Sequence, residues 1–409
     1  MEVVYARCCG VDVHKATIAA CALWIEAGQK HKQVRRFGTM TADLLALADW
    51  LRGLGIRQVA MESTGVYWKP LWNVLEGEFE WLLVNARHMR QVPGRKTDIR
   101  DCEWIADLLQ HGLLRSSFVP QQGQRDLREL TRYRARLSDD RGRVASRVEK
   151  VLEDANIKLA AVATDVLGAS GRAMLEAMVA GEQDAEKLAD LAQRKLRHKL
   201  PQLQAALNGR LREHHRFLLR ELLDELRYLD GKLATVEQRL EEQMRPFERA
   251  VSLWDSIPGI NRVTAWSLVA EIGVDLKAFA SAQQLASWAG MCPGNHESAG
   301  QSKSGKTRRG NRWLRRVLSQ AAWGAARTKN SYLAARFRRL AARRGRKRAV
   351  VAVGHTLLRI AYWLLKNDQP YRDLGGNYFD CLRPEALTRS LIRRLQRLGY
   401  QVNLSPATA

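Results

Sequence analysis

Acidic residues are in short supply in this chain, and between Lys303 and Arg348 they are missing altogether. Across 409 residues, 67 Lys and Arg stand against 43 Asp and Glu, giving a formal net charge of +24 and a pI near 10.2. That imbalance points to a polyanion as the partner, nucleic acid ahead of membranes and ribosomes. Paired cysteines are missing too. Cys8, Cys9, Cys21, Cys102, Cys292 and Cys381 form no C-x-x-C motif, which argues against a zinc site and a disulfide framework and fits a reducing cytoplasm. No apolar run approaches the roughly 20 residues of a membrane span, and the opening "MEVVYARCCGVDVHK" lacks the basic-then-apolar order of a signal peptide. A soluble, cytoplasmic protein with no membrane partner is expected. What is present, 46% hydrophobic residues, is ample for packed cores in two or three domains.

Up to about Pro120 short apolar runs alternate with amphipathic segments. "CCGVDVHKATIAACAL" reads as two strands, "VRRFGT" as a third, "ADLLALADWLRGLG" as a helix, and "IRQVAME" and "FEWLLVN" as two further strands, together a mixed α/β sheet. Two long helices are expected next. The first, about residues 124–159, carries Leu127, Leu130, Leu137, Val144 and Val151 at roughly heptad spacing, with Arg134 and Arg141 intruding on the seam. In the second, Leu219, Leu222, Leu226, Leu229, Leu233, Val236 and Leu240 alternate spacings of three and four, as a coiled-coil seam requires. Heptads alone do not separate pairing between subunits from a hairpin within one chain.

From Ser256, "SIPGINRVTAWSLVAEIG" reads as two short helices around Pro258, Gly259 and Ile260. That form suits a helix-hairpin-helix offering backbone N–H groups to phosphate, or a plain helical corner in a core. Where such a motif commonly has a second glycine, Asn261 stands. The acid-free stretch then gathers Lys303, Lys306, Arg308, Arg309, Arg312, Arg315 and Arg316, with Trp313, Trp323, Tyr332 and Phe337 interleaved. So long a run without counter-charges repels itself unless phosphates neutralise it, so these residues are candidates for nucleic-acid binding. Within it "GQSKSGKT" matches the P-loop pattern letter by letter, but the polar "CPGNHESA" before it is no buried strand, which argues against a nucleotide site.

Against this basic background the acids of the first 120 residues stand out. Asp98 and Asp101 lie three apart at the head of the amphipathic segment "DIRDCEWIADLLQ", Asp12 sits in the strand "GVDVHK", and Glu62 ends the strand "RQVAME". Asp98 and Asp101 alone could simply offset the positive end of a helix. Four acids in one α/β unit, however, suit Mg²⁺, with Mn²⁺ as the substitute, hard ions that take carboxylate, water and phosphate oxygens. Two such ions could activate a nucleophile and stabilise the leaving oxygen of a phosphodiester.

"GVDVHK", "MESTGVYW", "GRKTDIRDCEWIADLL", "LREL" with "KVLEDANIKL", "IPGI", "WAGMCPGNHESAGQSKSGKTRRGNRWLRRVL" and "AVVAVGHTLLRIAYWLLK" together resemble the insertion-sequence family 110 transposases, over nearly the whole chain. The resemblance implies an α/β plus α architecture: a RuvC-like, RNase H-like domain at 1–120, a helical coiled-coil region at 121–250, a serine-bearing transposase domain at 251–350 and a C-terminal helical segment at 351–409. It places a catalytic, metal-binding Asp-Glu-Asp-Asp tetrad on Asp12, Glu62, Asp98 and Asp101. It also places a DNA-attacking serine on Ser298, with Ser302 and Ser304 as neighbours. On chemistry alone Ser298 is ordinary turn material, and His14 and His296 have no visible partner. The partners implied are donor and target DNA, a structured bridge RNA as guide, and further copies of the chain, a dimer or, in the assembled complex, a tetramer. The rival readings are a metal-dependent, structure-specific nuclease of the Holliday-junction resolvase type, and a non-catalytic nucleic-acid-binding protein whose acids cap helices.

Overall fold

A computed structural model describes residues 2–63, 65–85, 101–294, 297–298, 301–302, 305–307, 310–382 and 384–405, with only the backbone of 297–298 and 301–302. The chain divides into two compact units, Met1–Pro120 and Gln121–Ala409.

In the first unit, the alternating "RCCGVDV" forms β1 (Arg7–Val13), followed by β2 (Ile18–Glu26), β3 (Gln29–Phe37), helix α1 (Thr41–Gly53), β4 (Gln58–Glu62), α2 (Trp68–Leu75), β5 (Glu80–Val84) and α3 (Asp101–Gln110). The strands make one sheet in the order β3-β2-β1-β4-β5, antiparallel from β3 to β1 and parallel from β1 to β5. This mixed sheet is consistent with the RNase H-like domain the resemblance implies. Side chains alternate across a strand, so each face has its own core. Cys9, Val11, Val59 and Met61 pack with α1 and α2, whereas Cys8, Ala60 and Val84 pack with Cys102, Ile105, Ala106 and Leu109 of α3.

Gly10 sets how closely α3 approaches. A Cβ there would stand 2.3 Å from both the Cys102 carbonyl oxygen and the Ala106 nitrogen, backbone atoms without freedom to yield. Gly10→Ala is therefore expected to push α3 off the sheet and destabilise the protein by at least about 1–3 kcal/mol, the usual cost of overpacking. Chemical denaturation of the two proteins measures the difference.

Among the described residues the second unit is helical, apart from two short antiparallel strands, β6 (Glu297–Ser298) and β7 (Gln301–Ser302). Its long helices are α4 (Gln122–Asp154) and, after α5 (Ala169–Ala180) and α6 (Leu200–Leu207), α7 (Glu213–Met244). Leu137, Val144, Val148 and Leu152 of α4 share a core with Leu219, Leu223, Leu226 and Leu229 of α7. The intruding arginines of the α4 seam have partners: Arg134 Nε donates to Glu237 at 2.7 Å and Arg141 Nε to Asp230 at 2.6 Å. Position rises along α4 as it falls along α7, so the two helices run antiparallel. The leucine seam is thus occupied within this chain, as a hairpin.

Beyond it lie α8 (Glu248–Asp255), α9 (Arg262–Ile272), α10 (Ala282–Trp288), α11 (Arg312–Arg327), α12 (Tyr332–Arg344), α13 (Arg346–Asn367), α14 (Tyr378–Cys381) and α15 (Pro384–Arg397). By length and composition alone α13 could cross a membrane, contrary to the expectation that no apolar run comes near a membrane span. Val353, Leu357, Leu358 and Ala361 on it are buried, and the Ala361 carbonyl accepts the indole N–H of buried Trp254 at 2.9 Å. That is the packing of a core helix.

Candidate functional site

The first candidate site grows from strand register. β1 and β4 are parallel with Val11 opposite Met61, so the next residues, Asp12 and Glu62, stand on neighbouring strands about 4.8 Å apart at their carboxyl ends. Alternation turns both toward the face that α3 covers. α3 runs back along β1, with Cys102 over Gly10 and the Gln110 carbonyl accepting from Tyr5 N at 3.1 Å, which puts Asp101, its first residue, near Asp12. Burial, then the charges of Glu103 and Asp12, push the Cys102 thiol above its ordinary value. Three of the four sequence-predicted acids thus sit on adjoining elements.

Their side chains are less gathered than their backbones. Among the described residues no group of three or more His, Cys, Asp or Glu could hold a metal ion. Asp98 lies outside the described residues. Asp12 pairs instead with His14, Nε2 to Oδ2 at 3.0 Å, a partner that sequence alone did not reveal for this histidine.

The second candidate site is the basic stretch. Pro293 bridges Thr307 and Gly294 N donates to the Lys306 carbonyl at 2.9 Å, so the chain is pinned together on either side of the paired strands β6, which carries Ser298, and β7. His296, Lys303, Ser304, Arg308 and Arg309 lie outside the described residues. The P-loop match fails on geometry as well: α11 begins only at Arg312, five residues beyond Thr307, so the glycine loop does not lead into a helix N-terminus.

Below the loop, a buried carboxylate holds three elements together. Glu271, 1% exposed near the end of α9, accepts both ends of the Arg132 guanidinium at 2.7 and 2.9 Å and the Asn311 amide at 2.6 Å. Arg128 Nε bonds the Ala270 carbonyl at 3.0 Å; burial pushes Arg128 down to about 10, against the opposing pull of Glu271. Asn311 uses its other side-chain atom, Oδ1, to cap α11 at Trp313 and Leu314. Arg315 then reaches back to the Thr307 hydroxyl at 3.1 Å.

On this base sits a cationic cluster: Arg312, Arg136 and Arg132 surround the Trp313 ring at 4.9, 5.7 and 5.8 Å from its centre. Arg132 and Arg136 come from α4, whose heptads point only to coiled-coil packing. Arg316 is committed elsewhere, to both oxygens of Asp139. That contact holds the Asp139 carboxyl below its ordinary value, so its contribution is complete above the ordinary carboxylate range and is lost as pH falls through the lowered one.

The turn at Pro258, Gly259 and Ile260 joins α8 to α9, the two short helices that the sequence predicts, and packs against α11. A Cβ on Gly259, whose φ is +88°, would meet the Ala321 carbonyl oxygen and the Ala325 nitrogen of α11 at 2.3 Å each. Ile257 and Ile260 beside it are buried, and Asn261, in extended backbone, caps α9 by accepting from Thr264 N at 2.9 Å.

Two family models match the chain. One, described as "Transposase" and built on DEDD transposases of the IS110 group, matches residues 9–157; the other, "Transposase IS116/IS110/IS902 family", matches residues 251–338. Together they span more than half of the chain and include both candidate sites. A Pseudomonas aeruginosa protein named "Probable family 20 transposase" is 28% identical over 330 residues, 79% of this chain and 88% of that protein. A Sinorhizobium fredii protein named "Putative transposase y4pF/y4sB" is 27% identical over 292 residues, 69% of this chain and 65% of that protein.

Proposed function

We propose, given that the chain belongs to the IS110 family of transposases, that it cuts and rejoins DNA through Ser298 and is directed to its sites by a bridge RNA. As a transposase it is a DNA-cleaving and rejoining enzyme, and its DEDD domain implies dependence on a divalent metal. Our reading assigns the metal to Asp12, Glu62, Asp98 and Asp101, with Mg²⁺ as the natural ion and Mn²⁺ as its substitute. The donor set fits in kind, hard carboxylate oxygens, and Asp12, Glu62 and Asp101 stand on the adjoining elements β1, β4 and α3, although their side chains do not gather into a metal-holding group among the described residues. A divalent ion there would polarise a phosphoryl oxygen as a Lewis acid.

The chain's own residues do the rest. The Ser298 hydroxyl oxygen forms a bond to phosphorus, the phosphorus–oxygen bond to the neighbouring nucleoside breaks, the serine proton is given up, and the released nucleoside oxygen takes one. One ester replaces another, so the link to Ser298 keeps the free energy that rejoining needs. Lys306, Arg312 and Arg315, with Lys303, Arg308 and Arg309 in the same stretch, meet the phosphate backbone, and Arg316 joins them by giving up Asp139, while pairing with the RNA supplies sequence. The observation that carries this reading is the conjunction, within a family-matched chain, of strand-end acids in one unit and an acid-free, serine-bearing basic loop in the other. Further copies of the chain, to a dimer or tetramer, would supply the assembled complex, acting in the cytoplasm.

Incubation with element-end DNA, the guide RNA and Mg²⁺ is expected to leave a denaturant-resistant protein–DNA adduct visible on a gel, and Ser298→Ala is expected to abolish it. Nicking that persists in Ser298→Ala at the native rate would instead make the protein a nuclease acting through water.

A further inference from the structure

Among residues that belong to neither candidate site, α12, α13 and the strap that follows α13 line a cavity of about 450 Å³. This lies within the roughly 300–1,000 Å³ usual for small-ligand sites. Its walls include Tyr332, Arg336, Arg359, Trp363, Tyr371 and Arg372, and no Asp or Glu is among the described residues that line it.

The strap is tied down. Arg249 holds the Asp368 carboxylate at 2.8 Å and its carbonyl at 3.0 Å, and Tyr371 N donates to the Ser256 hydroxyl at 2.9 Å. The nearby carboxylates are therefore spent on the frame. Asp373 accepts from the backbone of Tyr332 at 2.9 Å and Gly375 at 2.7 Å, and from the Tyr371 hydroxyl at 3.2 Å. None of the three lining arginines makes an ion pair with a described residue. Arg336 spends one N–H on the Tyr332 hydroxyl at 3.3 Å, and its buried Nε has no hydrogen-bond partner among the described residues. His355 next to them is held below its ordinary value by burial and then by Arg359 and Arg336.

Aromatic rings supply the other half of the chemistry. The Tyr332 ring is fixed, stacked on Phe379 at 5.4 Å and meeting Tyr378 edge-on at 5.1 Å. Trp363 is 46% exposed and so offers its ring surface at little cost to the core.

We propose that this cavity receives one unpaired nucleotide of a nucleic-acid strand, its base stacking on Trp363 and its phosphate meeting Arg336, Arg359 and Arg372. A lone anion would leave the rings unused, and an apolar ligand would leave the guanidinium groups unneutralised; a nucleotide uses both. Stacking suits any base, so the cavity recognises that a nucleotide is extruded, not which one. The inference rests on nucleic acid as the partner of this chain and is independent of the serine and of the acids.

The test uses the full chain and hairpin oligonucleotides, in DNA and RNA versions, carrying 2-aminopurine either as a single-residue bulge or fully paired. The bulged hairpins are expected to bind about tenfold more tightly than the paired ones, with 2-aminopurine fluorescence quenched by stacking. Trp363→Ala is expected to erase that preference while leaving affinity for paired hairpins unchanged, and Trp363→Phe to restore most of it. Arg359→Ala, at an exposed side chain, is expected to weaken the bulged hairpins selectively. A preference confined to RNA would assign the nucleotide to a guide, one confined to DNA to the element or its target, and either result supports the proposal. Equal binding of bulged and paired hairpins by the native protein, or equal weakening of both by Trp363→Ala, would overturn it while leaving the wider reading in place. Failure to bind any of the hairpins would overturn both.

Discussion

Asp12→Asn is expected to lower metal-dependent DNA cleavage at least about a hundredfold while leaving the fold and nucleic-acid binding intact. Outer partners of metal ligands are typically worth about 10- to 100-fold in affinity or activity, so a direct ligand belongs at or beyond the upper end. Asparagine keeps the shape of the side chain and removes only its charge. With the Asp12 side chain 21% exposed, the sheet beneath it has little reason to move. Asp101→Asn, at the head of α3, is expected to behave alike. His14→Ala removes the imidazole paired with Asp12 at 3.0 Å and should cost about tenfold. The check is single-turnover cleavage at increasing Mg²⁺ and Mn²⁺, with hairpin binding measured in parallel. Native cleavage by Asp12→Asn would reduce these acids to helix and strand-end charges without a part in the reaction.

The strand register that brings Asp12 beside Glu62 was legible in the sequence because a half-buried strand writes its alternation plainly. "RCCGVDV" and "QVAME" place acids two residues past a position that packs against α3. The long helices were legible for the same reason, but their pairing was not. Heptads specify an apolar seam and are silent on whose leucines fill it; here the decision lies in cross-helix ion pairs between Arg134 and Glu237 and between Arg141 and Asp230, about 90 to 100 residues apart in the chain. Gly259 reads as a turn glycine, but its close approach to Ala321 and Ala325 of α11, more than sixty residues on, left no mark in the sequence. The pocket around Trp363 left no local signal, since its walls come from α12, α13 and an irregular strap whose order depends on Arg249 and Ser256, more than a hundred residues upstream. Glu271 did leave one. It is the lone carboxylate in the apolar run "VTAWSLVAEIG", and such an acid needs a buried partner.

That partner makes Glu271→Ala the substitution with the largest expected effect on stability. Removing one member of a buried ion pair costs about 3–5 kcal/mol, because the guanidinium left behind keeps its desolvation penalty without its counter-charge. Here Arg132 loses two hydrogen bonds, and Arg128, already pushed down to about 10 by burial, loses the charge that opposes the shift. Thermal melting of the helical unit should shift downward by on the order of 10 °C. Glu271→Gln keeps the volume and one carbonyl acceptor, and should fall between the native protein and the alanine variant. The effect should also reach the chemistry. Asn311 is held from one side by Glu271 and caps α11 with the other, and α11 carries Arg312 and Arg315 beneath the loop that bears Ser298. Glu271→Gln is therefore expected to form the Ser298 adduct more slowly even at temperatures where it is fully folded, with hairpin affinity reduced less than the rate. A variant that melts lower but forms the adduct at the native rate would confine Glu271 to holding the core. A rate loss matched by Asn311→Ala, with no further loss in the double variant, would show that the two side chains act on the loop as one support.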